Sequence, residues 1–83
     1  MKLRYFAWVR ERVGRAEEEI ALPPQTQTIA DLVDWLRTRG EEYEAAFAHD
    51  GVVRAAIDRV HAKPDATIGG AREIAFFPPM TGG

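Results

Sequence analysis

EIAFFPPMTGG, residues 73–83, reads as a strand with a built-in exit. Ile74 and Phe76 alternate with Ala75 and Phe77, so one pair faces a core and the other the opposite side of a sheet. Pro78-Pro79 then ends the ladder, because proline has no N–H to donate and fixes φ. From Pro79 onward five residues remain, a reach of at most about 16–18 Å when extended. Two glycines finish the chain, and without a Cβ they fit a narrow channel and leave the last carbonyl open to attack. An α-carboxylate is ionised at neutral pH and is a poor electrophile. To react, Gly83 must first be activated, for instance as an acyl-adenylate made with ATP. A sulfur or amine nucleophile then displaces AMP.

Working outward, the N-terminus supplies a partner for that strand. Lys2 to Trp8 alternates, with Leu3, Tyr5 and Ala7 on one side and Lys2, Arg4, Phe6 and Trp8 on the other. VRERVG, residues 9–14, is a short connection, one helical turn stopped by Gly14. Glu17 to Leu22 reads as a second strand in a hairpin with the first, ended by Pro23-Pro24.

Thr28 to Arg39 is the clearest helix. Thr28 with Asp31 approximates a capping box, and Ile29, Leu32, Val33 and Leu36 form one apolar stripe. Arg37 and Arg39 suit the last turn, and Gly40 suits the position just past it. Residues 41–48 form a further helical piece with Tyr43 and Phe47 one turn apart. Val52 to Val60 reads as a third strand with Ala55 and Ile57 inward, and Gly69-Gly70 marks a turn. A right-handed crossover through the long helix sets the last strand parallel to the first. The expected fold is α+β: a ubiquitin-like β-grasp, a mixed sheet of four to five strands with one main helix on one face.

Eighty-three residues make one domain, 1–83, with residues 78–83 as a functional tail. So short a chain holds one small core, and a deep catalytic cleft is not expected. With no cysteine there is no disulfide, thiolate metal site or cysteine nucleophile. The net charge of −2 is spread along the chain, without a basic stretch for nucleic acid. The opening lacks a secretory h-region and no window is apolar enough to span a bilayer, so the expected location is the cytoplasm. His49 and His61 lack a third ligand at metal spacing, and no metal site is expected. Thr81 has no adjacent base to make it a nucleophile. Arg10, Arg12 and Arg15 form a basic group, read first as a solvated loop and second as a partner contact.

Over essentially its whole length the chain resembles the β-grasp sulfur-carrier family of molybdopterin synthase small subunits. The specific match is EIAFFPPMTGG, with its double phenylalanine, double proline and terminal double glycine. The aromatic first strand followed by VRERVG is a second match. Two places depart from the family: Asp58-Arg59 stands where Asn-Gln is frequent, and Gly69-Gly70-Ala71-Arg72 where an Asp-Gly-Asp-like turn is usual.

The resemblance implies a cycle. A ubiquitin-activating-type adenylyltransferase uses ATP to adenylate Gly83, and a sulfur donor protein converts it to a thiocarboxylate. The tail, Pro79, Met80, Thr81 and Gly82, enters the active site of the large synthase subunit, in an assembly of two small and two large subunits. There the sulfur passes to a cyclic pyranopterin precursor. No cofactor is held permanently; ATP belongs to the activating enzyme. Phe6, Trp8 and Phe77 are the expected partner contacts, from parity on the strands. The same tail chemistry serves thiamine synthesis, tRNA thiolation and ubiquitin-like modification of lysines, which are the competing readings.

Overall fold

The computed structural model describes residues 1–48 and 52–79. The N-terminal strand β1 (Lys2–Tyr5) leads into helix α1 (Ala7–Val13), and strand β2 (Glu17–Glu19) returns antiparallel to β1, with Leu3 opposite Glu18. Helices α2 (Ile29–Arg37) and α3 (Glu41–Ala46) follow, then strands β3 (Arg54–Ile57), β4 (Val60–Ala62) and β5 (Glu73–Phe77). The five strands form one sheet in the order β2-β1-β5-β3-β4. The final strand is thus central. It runs parallel to β1, with Tyr5 opposite Phe76, and antiparallel to β3, with Arg54 opposite Phe77.

One face of this sheet carries the core. Leu3, Tyr5, Ala55, Ile74 and Phe76 point into it and meet Val9 and Val13 of α1, Ile29, Leu32 and Leu36 of α2, and Tyr43, Ala46 and Phe47 around α3. The expected α2 stripe is buried at Ile29, Leu32 and Leu36, with Val33 at its edge. The capping box is complete: Thr28 Oγ1 accepts from Asp31 N–H at 3.1 Å, and Asp31 Oδ2 accepts from Thr28 N–H at 3.2 Å. Such a cap contributes about 1 kcal/mol. Gly14 ends α1 in the left-handed region at φ 88°, as VRERVG suggested.

Four expectations are corrected. The first strand stops at Tyr5, not Trp8: Phe6 caps α1 and Ala7 turns the chain at φ 52°. The packing of Val9 and Val13 on the core, one helical turn apart, overrides the period-two pattern. Second, residues 52–60 are not one strand but the start of a hairpin, β3-turn-β4. Asp58 (φ 48°) and Arg59 (φ 72°) make its two-residue left-handed turn, a geometry normally announced by Asn-Gly or Asp-Gly. Third, Gly40 does not follow α2 as a C-terminal cap; it precedes α3 as its N-cap in extended backbone, and Arg39 lies beyond the end of α2. Fourth, β2 spans only Glu17–Glu19, although Ile20 N–H still donates to Met1 O at 2.9 Å and Ile20 is buried.

The edge strand β2 is tied to the helical layer by one carboxylate. Glu18 Oε2 accepts from Tyr5 Oη at 2.7 Å and from Tyr43 Oη at 2.6 Å. Its Oε1 accepts from Arg39 at 2.9 Å and from Arg15 at 3.4 Å. Desolvation pushes the Glu18 carboxyl upward, but the hydrogen bonds from Tyr43, Tyr5 and Arg39 outweigh it and hold the group below the usual glutamate value. Burial, reinforced by the Glu18 contact, raises the Tyr5 and Tyr43 hydroxyls. Among the described residues no buried side-chain polar atom lacks a partner.

Candidate functional site

The strand that precedes the tail is held firmly up to its last residue. Phe76 is buried (1 % exposed), stacked on Tyr5 with centroids 6.1 Å apart and met edge-on by Phe47 at 5.1 Å. Its carbonyl accepts from Phe6 N–H at 3.0 Å, which carries the parallel pairing one residue beyond β1. Pro78 and Pro79 follow, both half-buried. A segment leaving this central strand therefore starts from a fixed point. Met80, Thr81, Gly82 and Gly83 lie outside the described residues, as does His49.

The outer sheet face is set by register. Lys2 and Arg4 of β1, Glu17 and Glu19 of β2, Glu73, Ala75 and Phe77 of β5, Arg54 and Ala56 of β3 and His61 of β4 share it, since paired residues point the same way. Phe77 is half-buried and Phe6 is 39 % exposed with the Arg4 guanidinium 5.2 Å from its ring centre. Both aromatics thus stand where strand parity placed them. Trp8 does not: on α1 it packs against the core margin, and Arg12 covers its ring at 4.3 Å. Of the basic group, Arg10 and Arg12 are exposed on the last turn of α1, while Arg15 turns to Glu18.

Two features escaped the sequence. His61 meets Phe77 edge-on, with ring centroids 6.0 Å apart. These residues sit two strands apart, about 10 Å at sheet spacing. They meet because Ala56, directly opposite His61, is too small to separate them. The departure Asp58-Arg59 also has a structural role. Asp58 Oδ1 accepts from the N–H groups of Arg72 and Glu73, both at 2.9 Å, and so anchors the start of β5. Arg59 and Arg72 border an open depression of about 400 Å³ beside that turn. Among the described residues no three His, Asp or Glu side chains are grouped to hold a metal, and no helix is long and apolar enough to cross a membrane.

The arrangement offers a rigid strand end, an aromatic patch beside it and an exit from the sheet centre. Known proteins share this plan. The ThiS family model matches residues 3–83. A molybdopterin synthase sulfur carrier subunit of Escherichia coli is 32 % identical over 83 residues, covering 100 % of this chain and 99 % of that one. Among solved structures, a Pyrococcus furiosus chain assigned as molybdopterin converting factor, subunit 1, superposes with a TM-score of 0.72 at 28 % identity over 94 % of both chains. SAMP1 of Haloferax volcanii superposes with a TM-score of 0.76 at 22 % identity, covering 100 % of this chain and 98 % of that one, a likeness of fold.

Proposed function

This chain belongs to the ThiS family, and on that premise we propose that it is the sulfur-carrying small subunit of a molybdopterin synthase. The observation that carries the reading is the full-length identity with the Escherichia coli sulfur carrier subunit, together with a family match that runs through the double glycine. In the proposed cycle a ubiquitin-activating-type enzyme transfers AMP from ATP to the Gly83 carboxylate and releases pyrophosphate. The outer sulfur of a donor persulfide attacks the acyl-adenylate and expels AMP. A thiol then cleaves the resulting S–S bond, leaving the thiocarboxylate on Gly83. Pro79, Met80, Thr81 and Gly82 carry it into the active site of the large subunit, where the sulfur attacks a cyclic pyranopterin precursor. Hydrolysis returns Gly83 as a carboxylate.

The fold supports this division of labour. The carrier contributes a firm strand end as the base of the tail, and the pocket is assigned to the partner. Phe6 and Phe77 flank the root of the tail and serve as docking contacts, with Trp8 on the adjoining helix. The assembly proposed is two small and two large subunits in the cytoplasm.

The test is co-expression with the activating enzyme, followed by intact mass measurement and fragmentation. The expected product replaces one oxygen of Gly83 by sulfur, and deletion of Gly82-Gly83 abolishes molybdopterin formation while the fold persists. Cofactor synthesis that survives the deletion overturns the reading. Isopeptide adducts on lysines, without sulfur on Gly83, assign the chain instead to protein modification.

A further inference from the structure

The two places where the sequence departs from its family come together in space. Asp58-Arg59 makes the left-handed β3–β4 turn, and Gly69-Gly70-Ala71-Arg72 leads into β5. Asp58 Oδ1 accepts from Arg72 N–H and Glu73 N–H, Asp58 N–H donates to Glu73 O at 2.9 Å, and Lys2 N–H donates to Arg72 O at 3.3 Å. The backbone is thus held at Arg72 and next to Arg59. These two arginines, with Asp58 and Glu73, line the open depression of about 400 Å³. Both are exposed, and neither side chain has a hydrogen-bond or ion-pair partner among the described residues. The acids beside them are engaged, Asp58 with the two backbone N–H groups and Glu73 with Arg4 at 3.8 Å.

We propose that this depression binds a small phosphoryl oxyanion, phosphate or pyrophosphate, between the Arg59 and Arg72 guanidiniums. Two guanidinium forks carry more N–H donors than the two oxygens of one carboxylate accept, whereas a phosphoryl group offers several oxygens around one centre. The volume lies in the range of small-molecule sites, about 300–1,000 Å³, and holds two linked phosphoryl groups. Among the described residues the lining has no aromatic or apolar side chain. A nucleobase therefore has nothing to stack on, and an apolar ligand nothing to pack against. The chain as a whole carries a net charge of −2, so the attraction for an anion is local to this arginine pair and not a property of the general surface.

The site is separate from the tail. β5 runs from Glu73 at the depression to Phe77 at the root of the tail, about 13 Å at the rise of a strand. An anion bound here leaves that root uncovered, and its binding requires nothing of the sulfur chemistry proposed above. It bridges the β3–β4 turn and the entry to β5, so by linkage it stabilises the folded chain.

The experiment is an NMR titration of the full chain at about 0.05 M salt with pyrophosphate, orthophosphate, AMP and chloride in separate arms. Pyrophosphate and orthophosphate should give saturable shifts confined to the backbone amides of residues 58–60 and 71–73 and to the side-chain N–H groups of Arg59 and Arg72. Pyrophosphate should bind about 3- to 10-fold more tightly than orthophosphate, because it meets both guanidiniums. AMP should match orthophosphate within about 2-fold, having one phosphoryl group and no stacking surface. R59A and R72A should each weaken pyrophosphate about 3- to 10-fold. D58N keeps the acceptor and the left-handed turn but removes a negative charge, and should tighten binding about 2- to 5-fold, a gain that misfolding cannot mimic. Dispersion of the β5 amides checks that each variant is folded. Three results overturn the site: no saturable shift with pyrophosphate, equal shifts with chloride or at Arg10 and Arg12, and affinity unchanged in both alanine variants. AMP binding about 10-fold tighter than orthophosphate overturns the choice of ligand class. A chain that binds none of these anions yet carries sulfur on Gly83 loses the site and keeps its carrier function.

Discussion

Phe76 and Phe77 are adjacent on β5, chemically identical, and put to opposite uses. Phe76 is enclosed between Tyr5 and Phe47. Phe77 lies half-buried on the far side of the sheet, with His61 edge-on to its ring. The same division holds for charge. Glu18, on the inner side of β2, has four donors and a nearly closed side chain (6 % exposed). The Arg54 side chain, on the outer side of β3, has no hydrogen-bond or ion-pair partner among the described residues. A polar group that the fold has satisfied stabilises the fold. One left to solvent beside a half-buried aromatic is available to another molecule. The inner face of this sheet holds the packed core, and the outer face carries the half-buried Phe77 and the exposed Arg54.

The contrast can be broken by moving each group in turn. Phe76→Ala should cost about 3–5 kcal/mol, as large-to-small changes in a packed core do, and should loosen the root of the tail. Urea denaturation measures it; a loss below about 1 kcal/mol would mean the inner face is not tightly packed. Glu18→Ala removes the acceptor of two tyrosine hydroxyls and two guanidinium groups, and should cost about 2–3 kcal/mol, with large-subunit affinity unchanged.

That network also has a pH signature. The folded carboxyl of Glu18 is lowered, so its contribution is present above the ordinary glutamate value of about 4.3. It disappears as the pH falls through the lowered folded value. The stability gap between wild type and Glu18→Gln should therefore be constant near neutrality and close in acid. Tyr5 and Tyr43 are raised, so their contribution is present below the ordinary tyrosine value of about 10. It is lost as the pH climbs above that value. Thermal melts across pH check both arms; a gap that widens in acid would contradict an ionised Glu18.

Gly14→Ala should cost about 1 kcal/mol, because the penalty is purely conformational. Its φ is 88° and nothing lies within 4 Å of the added Cβ. Phe77→Asp sharpens the comparison from the other side. Its stability should stay within about 0.5 kcal/mol of wild type, while binding to the large subunit is lost. Global unfolding of that variant would make Phe77 a core residue and erase the distinction.

Much of this was legible in the order of residues. Local rules found α2 with its Thr28–Asp31 cap, the Gly14 stop and the β5 limits of Glu73 and Phe77, because each is decided within one or two turns of chain. Parity on β5 separated Phe76 from Phe77 without any knowledge of neighbours. Trp8 and the β3–β4 hairpin were misread for the same reason as each other. In both places a tertiary contact overrules the local pattern: burial of Val9 and Val13 turns residues 7–13 helical, and the hold of Asp58 on the β5 backbone steadies a left-handed turn that Asp-Arg does not announce.

The chain alone thus determined a β-grasp with a strand, two prolines and two glycines at its end, since alternation, capping and proline's missing donor act over a few bonds. Only the tertiary structure decided that His61 reaches Phe77 over Ala56 and that Glu18 collects Tyr5, Arg15, Arg39 and Tyr43. Those outcomes depend on which strands become neighbours, and neighbourhood between distant segments is a property of packing that no local spacing encodes.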